Sequence, residues 1–298
     1  MRGAALLALA ALVGCSSVER QSRYVVGRPY EIGGVMRYPS ESFELDETGI
    51  ATVYSRGGAT ASGERFDSSA LTAAHRTLQL PAVVRVTNLE NGRQVMVRVN
   101  DRGPTDPGRV IAVSRRVAQL LGAANQSAFR VRVQVAEAES RALAAEMQGK
   151  SPPTPGATPA IVVEAAPRAG VQAEALAVPD GAAAGRQRSA AAGPVPVASR
   201  PAEGPVVVPL RMPETVTNVS ARPGVLAVDC GGFSTPEAAQ VMLNRLMPFG
   251  AKMSADYNAP RDRAVVVRIG PQPSVQVAES VLRKVLPAGC IDGRIIIE

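Results

Sequence analysis

The chain has one histidine, no tryptophan, three cysteines and only 3% aromatic residues. A lone histidine and cysteines at positions 15, 230 and 290 give no metal-ligand spacing, so neither a metal nor a cofactor is expected. After the first residues, no apolar run approaches the about 20 residues that a membrane-spanning helix needs. The net charge of +7 suits an anionic surface or polymer. The basic residues are scattered and aromatic rings are few, which argues against nucleic acid as a partner.

The N-terminus reads as an export signal. Arg2 precedes a short apolar stretch from Ala4 to Val13, followed by Leu12-Val-Gly-Cys15. Small residues before a cysteine mark a bacterial lipoprotein signal of residues 1–14, cut so that Cys15 carries lipid; an ordinary secretory signal with a chance cysteine is the alternative. Ser16 is not the aspartate that commonly retains such proteins in the inner membrane, so the expected location is the outer membrane, facing the periplasm. In that oxidising compartment Cys230 and Cys290 are expected to pair, with two buried thiols as the other possibility.

Composition divides the rest. Residues 15–47 form the lipid anchor and an extended arm with Tyr24, Tyr30 and Tyr38 among Gly and Pro. Residues 48–136 are a β domain, with β-rich runs at Ile50–Tyr54, Val83–Leu89, Val95–Val99 and Val131–Val135. Asn91-Gly92 predicts a two-residue hairpin with φ > 0 at both positions, and Ser114–Leu121 predicts a helix. Residues 137–222 begin with a possible helix to Met147 and then become an Ala/Pro/Gly-rich linker, disordered over 148–222 because nothing there can bury enough apolar area. Residues 223–298 regain a strand–helix–strand–strand–helix–strand pattern of ferredoxin-like type. Ser234-Thr-Pro-Glu237 is placed to begin its first helix with a capping box.

Three polar motifs stand out in the β domain: Thr60-Ala-Ser-Gly-Glu64, Thr72-Ala-Ala-His75 and Val99-Asn-Asp-Arg-Gly-Pro104. They hold the sole histidine and two glycine-flanked carboxylates, a set with little packing use among Val-rich runs. Each residue also has a plainer use. Asp101 can fix a turn, His75 can be a satisfied structural residue, and Glu64 can be a solvated loop residue.

With Gly49-Ile-Ala-Thr-Val-Tyr54 and Val86-Thr-Asn-Leu-Glu-Asn-Gly92, these motifs resemble the rare lipoprotein A (RlpA) family over roughly residues 24–135. The resemblance implies a double-psi β-barrel and a lytic transglycosylase of the bacterial septum. Val228-Asp-Cys-Gly-Gly-Phe233, Glu237-Ala-Ala and Val267-Arg-Ile-Gly-Pro271 resemble a SPOR domain, which implies binding of glycan strands without stem peptides. The chain departs from the RlpA pattern at Val53, where tryptophan is usual, and at Ala112, where aspartate is usual.

Glycosidic cleavage needs a proton at the leaving oxygen, which a carboxylic acid can supply. A hydrolase needs a second carboxylate, whereas a lytic transglycosylase can use the C6 hydroxyl of muramic acid and a single acid/base. The resemblance assigns Asp101 as acid/base, Glu64 as a residue that holds substrate or tunes Asp101, and His75 as a group that orients one of them or hydrogen-bonds the sugar. Tyr54, Arg102 and Arg268 are candidate substrate contacts. Arg102 would hinder proton donation if it paired with Asp101; the mechanism is easier if it points elsewhere, for example to a muramic lactyl carboxylate, and the sequence leaves that direction open. The expected enzyme makes 1,6-anhydro ends on denuded strands during daughter-cell separation. Two other readings stay open: a non-catalytic wall-binding lipoprotein, made credible by Val53 and Ala112, and an inert scaffold tying membrane to septal wall.

Overall fold

Alternation decides which face of each strand is buried. In Ala128–Val135 (β8), Phe129, Val131 and Val133 are fully buried while Arg130, Arg132 and Gln134 between them are half-buried. Asp46–Val53 (β3), Ala82–Asn88 (β5) and Arg93–Asp101 (β6) supply further walls. The computed structural model describes residues 22–55, 57–149, 211–255 and 264–298; the expected lipid site at Cys15 and most of the expected linker lie outside them.

Two short strands close the barrel. Thr72–His75 (β4) and Arg109–Val113 (β7) complete the ring β4-β7-β3-β8-β5-β6, which β4 closes onto β6. The pairs β3–β7 and β4–β6 are parallel and the others are antiparallel, giving a double-psi β-barrel. A core of Val84, Val86, Val97, Val99, Ile111 and Phe129 fills it. Arg115–Leu120 (α1) lies on the core through Val117; the Ser114 side chain caps it by accepting from the Val117 N–H at 3.3 Å.

The β5–β6 connection differs from the expected two-residue hairpin. It spans residues 89–92, and only Gly92 takes a positive φ, of 76°. The side-chain oxygens of Asn88 and Asn91 accept from the N–H groups of Glu90 and Arg93, each at 2.9 Å. These side-chain bonds hold a longer loop in place, so Asn91 need not enter the left-handed region.

The expected linker is ordered at both described ends. Glu137–Met147 (α2) is anchored by the fully buried Ser140, whose hydroxyl accepts from Val83 N at 2.9 Å and donates to Val83 O at 2.8 Å. Val216–Asn218 (β9) pairs antiparallel with residues 93–95 of β6. Val219 N and Arg222 N then donate to Gly92 O and Leu89 O. An otherwise open edge of β6 explains the strand in a segment with little pattern of its own.

The C-terminal domain runs Leu226–Phe233 (β10), Pro236–Leu246 (α3), Ala251–Ala255 (β11), Val265–Gln272 (β12), Val275–Val285 (α4) and Arg294–Ile297 (β13). Its antiparallel sheet has the order β11-β12-β10-β13, the ferredoxin-like arrangement. Thr235, not Ser234, caps α3, so Glu237 falls one position short of a capping box. A disulfide joins Cys230 to Cys290.

This domain packs on the barrel. Thr48 Oγ1 donates to Ile297 O at 2.5 Å and accepts from Ile297 N at 3.2 Å. Gly108 bridges to Arg294, Arg109 pairs with Glu279 at 2.6 Å, and Arg37 pairs with Asp292 at 2.6 Å. Ile50 of β3 belongs to the apolar cluster of Leu226, Val228 and Ile295.

Candidate active site

The site forms where a hairpin loop folds over the end of β6. Within residues 59–65, Thr60 N donates to Glu64 O at 2.7 Å and Gly63 N to Thr60 O at 2.9 Å; Gly63 takes a φ of 95°, which the turn requires. Ser62 N donates to Asn100 O at 3.0 Å, pinning the loop to β6. Tyr54 packs against Phe66, just after this hairpin, with ring centroids 4.9 Å apart.

Glu64 is held from two sides. Arg98 embraces its carboxylate through both terminal nitrogens, Nη2 lying 2.6 Å from Oε2, and Asn100 Nδ2 donates to the same oxygen at 2.8 Å. Burial alone would raise the Glu64 pKa, but the Arg98 bonds and charge, with Ser22 and Asn100, hold it below the usual glutamate range. Glu64 is therefore ionised at neutral pH, and both oxygens are occupied by donors.

Asp101 is 1% exposed at the end of β6. Its Oδ1 accepts from Ala61 N at 2.9 Å and from Arg102 N at 2.8 Å, so the 59–65 loop and the β6 terminus jointly aim the carboxyl. In register, Asp101 lies opposite Ala74, Ala74 opposite Ala112, and Ala112 opposite Thr52. The family's missing aspartate would thus stand two strands from Asp101, about 10 Å across the sheet. Val53 borders an open recess with Arg115, Gln119, Asn125 and Gln126.

His75 ends β4, next to Ala74. Its Nδ1 accepts from Leu78 N at 3.1 Å and Thr77 N at 3.3 Å, so the ring proton sits on Nε2, 2.9 Å from Glu47 Oε1. Burial would raise the Glu47 pKa, but His75, Arg294 and Arg76 keep it below the glutamate range.

Arg102 lies close enough to Asp101 for their charges to act on each other, and its guanidinium bonds go to backbone carbonyls. Its guanidinium donates to the carbonyls of Leu78, Val26 (2.5 Å) and His75 (3.5 Å), and so clamps the N-terminal arm to the barrel. The arm is also fixed by Arg23 N to Ser62 O at 2.8 Å and by Tyr30 Oη to Arg76 O at 2.8 Å. Its hairpin, Tyr30–Ile32 (β1) with Val35–Arg37 (β2), follows. Arg268 sits in the C-terminal sheet between Lys252 and Asp229 and pairs with Glu298 at 2.7 Å.

The barrel thus brings Glu64, Asp101, His75 and Arg102 to adjoining strand ends and loops. Sequence reasoning missed Arg98, Asn100 and Glu47. Arg98 and Asn100 did carry a signal: two polar residues at i and i+2, on one face of a Val-rich strand, directly before Asp101.

The family model described as "Lytic transglycolase" matches residues 46–133. The endolytic peptidoglycan transglycosylase RlpA of Yersinia pestis is 46% identical over 110 residues, 36% of this chain and 31% of that protein. The RlpA of Neisseria meningitidis serogroup A is 45% identical over 111 residues, 36% of this chain and 46% of that protein. The chain therefore spans under half the length of these two relatives. Streptomyces papain inhibitor is similar over 32% of this chain and 98% of its own, with 20% identity and a TM-score of 0.29. The protein of that name from Pseudomonas aeruginosa, endolytic peptidoglycan transglycosylase RlpA, is 35% identical over 255 residues, 83% of this chain and 70% of its own length. A match of that extent, together with the barrel and its ordered motifs, makes this chain a member of the RlpA family.

Proposed function

We propose that this protein is a peptidoglycan lytic transglycosylase with Asp101 as its acid/base. One observation carries the reading: of the two motif carboxylates, Glu64 is locked in a buried ion pair with Arg98 and a bond from Asn100, while the Asp101 carboxyl is oriented by the backbone N–H groups of Ala61 and Arg102 at the end of β6. A hydrolase needs two working carboxylates. A single working carboxyl suits intramolecular attack. Asp101 gives its proton to the glycosidic oxygen between muramic acid and glucosamine. It then takes the proton of the muramic C6 hydroxyl as that oxygen bonds to C1, which leaves a 1,6-anhydro end. Glu64 holds the 59–65 loop to β6, and His75 fixes the β4 end of the site.

The finer biology belongs to the same proposal. The C-terminal domain serves as a SPOR-type module for strands lacking stem peptides, with Arg268 as a contact. Cys15 carries the lipid that holds the protein to the outer membrane, and the work is septal wall processing as daughter cells part. The test is mass spectrometry of peptide-free strands incubated with the protein beside an Asp101→Asn variant. Asparagine keeps the acceptor for Ala61 N and Arg102 N but carries no transferable carboxyl proton. Anhydro ends that disappear with the variant support the reading. Reducing ends point to a hydrolase. Bound but uncut strands favour the wall-binding alternative that Val53 and Ala112 raise.

A further inference from the structure

His75 is held on both ring nitrogens, and one of its partners belongs to the strand on which the C-terminal domain docks. Glu47 Oε1 accepts a hydrogen bond from His75 Nε2 at 2.9 Å. The next residue, Thr48, makes the two hydrogen bonds to Ile297. At Gly49, a Cβ would lie 2.3 Å from Val110 Cγ1 and 3.1 Å from Ile295 O, so β3 has no slack against β7 and β13 there. We infer that Glu47 is a positioning residue for His75, and that the C-terminal domain holds Glu47 in place through Thr48 and β13. The inference rests on the reading of His75 as part of the site.

The physical reason is geometric. Successive side chains of a strand point to opposite faces, so Thr48 turned to Ile297 fixes the opposite direction for Glu47. The charges that act on Glu47 besides His75 are Arg294 on β13 and Arg76 beside His75; Asp292, before β13, acts in turn on Arg76 and pairs with Arg37 of the arm. A shift of the C-terminal domain therefore moves both the strand that carries Glu47 and the charges that surround it.

Because His75 is the only histidine, one ¹⁵N-labelled imidazole reports on it in the full-length protein. The parent should show a protonated Nε2 and a bare Nδ1, with slow exchange of the Nε2 proton. Glu47→Ala should speed that exchange and lower kcat about tenfold with little change in KM, and Glu47→Gln, which keeps the acceptor, should restore most of both. Thr48→Val keeps the side-chain shape, removes both bonds to Ile297, and should speed exchange about three- to tenfold. Arg132→Gln, which breaks the exposed pair with Asp46 beside the same strand, should leave the ring signals unchanged. Parent-like ring signals in Glu47→Ala overturn the proposal. Parent-like signals in Thr48→Val alone remove the C-terminal domain from it. Ring signals that move while strand cleavage does not would uphold the positioning and instead sink the placement of His75 in the chemistry.

Discussion

Replacing Glu64 with glutamine should destabilise the barrel before it touches catalysis. Arg98 is 7% exposed and Glu64 13% exposed at the side chain, so the pair is largely out of water. The carboxylate offers only acceptors to Arg98 and Asn100. A glutamine must turn its own NH2 toward one of these donors, and the arginine charge loses its counter-ion. Removing one partner of such a buried pair costs about 3–5 kcal/mol; the acceptor that glutamine keeps puts this case near about 3. For a domain the size of the barrel that lowers Tm by roughly 12–24 °C. The pH dependence has a defined sign. A carboxylate whose folded pKa is depressed contributes stability that is full above its unfolded value of about 4.3 and is lost as pH falls through the folded value. The parent should therefore lose this contribution only below about pH 4, whereas Glu64→Gln should lack it at pH 7 and show a flatter acid limb. Scanning calorimetry of the full chain at pH 7 and pH 3.5 measures both. A double substitution, Glu64→Gln with Arg98→Met, should recover part of the loss, because the stranded charge is gone. A Glu64→Gln protein melting within about 2 °C of the parent at pH 7 would refute the account of Glu64 as a clamped anion.

Three further outcomes follow from the packing. Gly108→Ala places a Cβ at a φ of +76° and 2.4 Å from Leu282 Cδ2, so the C-terminal domain should loosen from the barrel and its edge strand should become sensitive to limited proteolysis. Ser140→Ala strands the Val83 N–H in a fully buried position; it should cost about 1–3 kcal/mol and raise amide exchange along α2. Cys230→Ala with Cys290→Ala opens a link across a sequence separation of 60 residues and should cost the C-terminal domain about 4 kcal/mol in the chain-entropy account, with the unfolding of that domain as the readout.

The valine-rich strands were legible because β-branched residues and alternation carry them locally. The strands that close the barrel were not. Thr72-Ala-Ala-His75 is short and alanine-rich; it becomes a strand because β6 and β7 pair with it on both sides. Val216–Asn218 is likewise set by the edge it meets and not by its own residues. Within the site, the motifs marked Glu64, His75 and Asp101, since glycine-flanked carboxylates and a lone histidine are conspicuous in sequence. Their partners were hidden because each lies far along the chain: Arg98 is 34 residues from Glu64, and Glu47 is 28 from His75. The direction of Arg102 depended on carbonyls of the arm and the loop after β4, which only the fold brings together.

The helix α2 and the strand β9 set an unusual mechanical relation. The first is fastened to β5 and the second to β6, so the described residues on both sides of positions 150–210 belong to the same barrel. Insertions or deletions between positions 150 and 210 should leave the spacing of barrel and C-terminal domain unaltered, since the contacts that set it, at Thr48, Arg109 and Gly108, lie outside those positions. The C-terminal domain goes wherever the barrel goes.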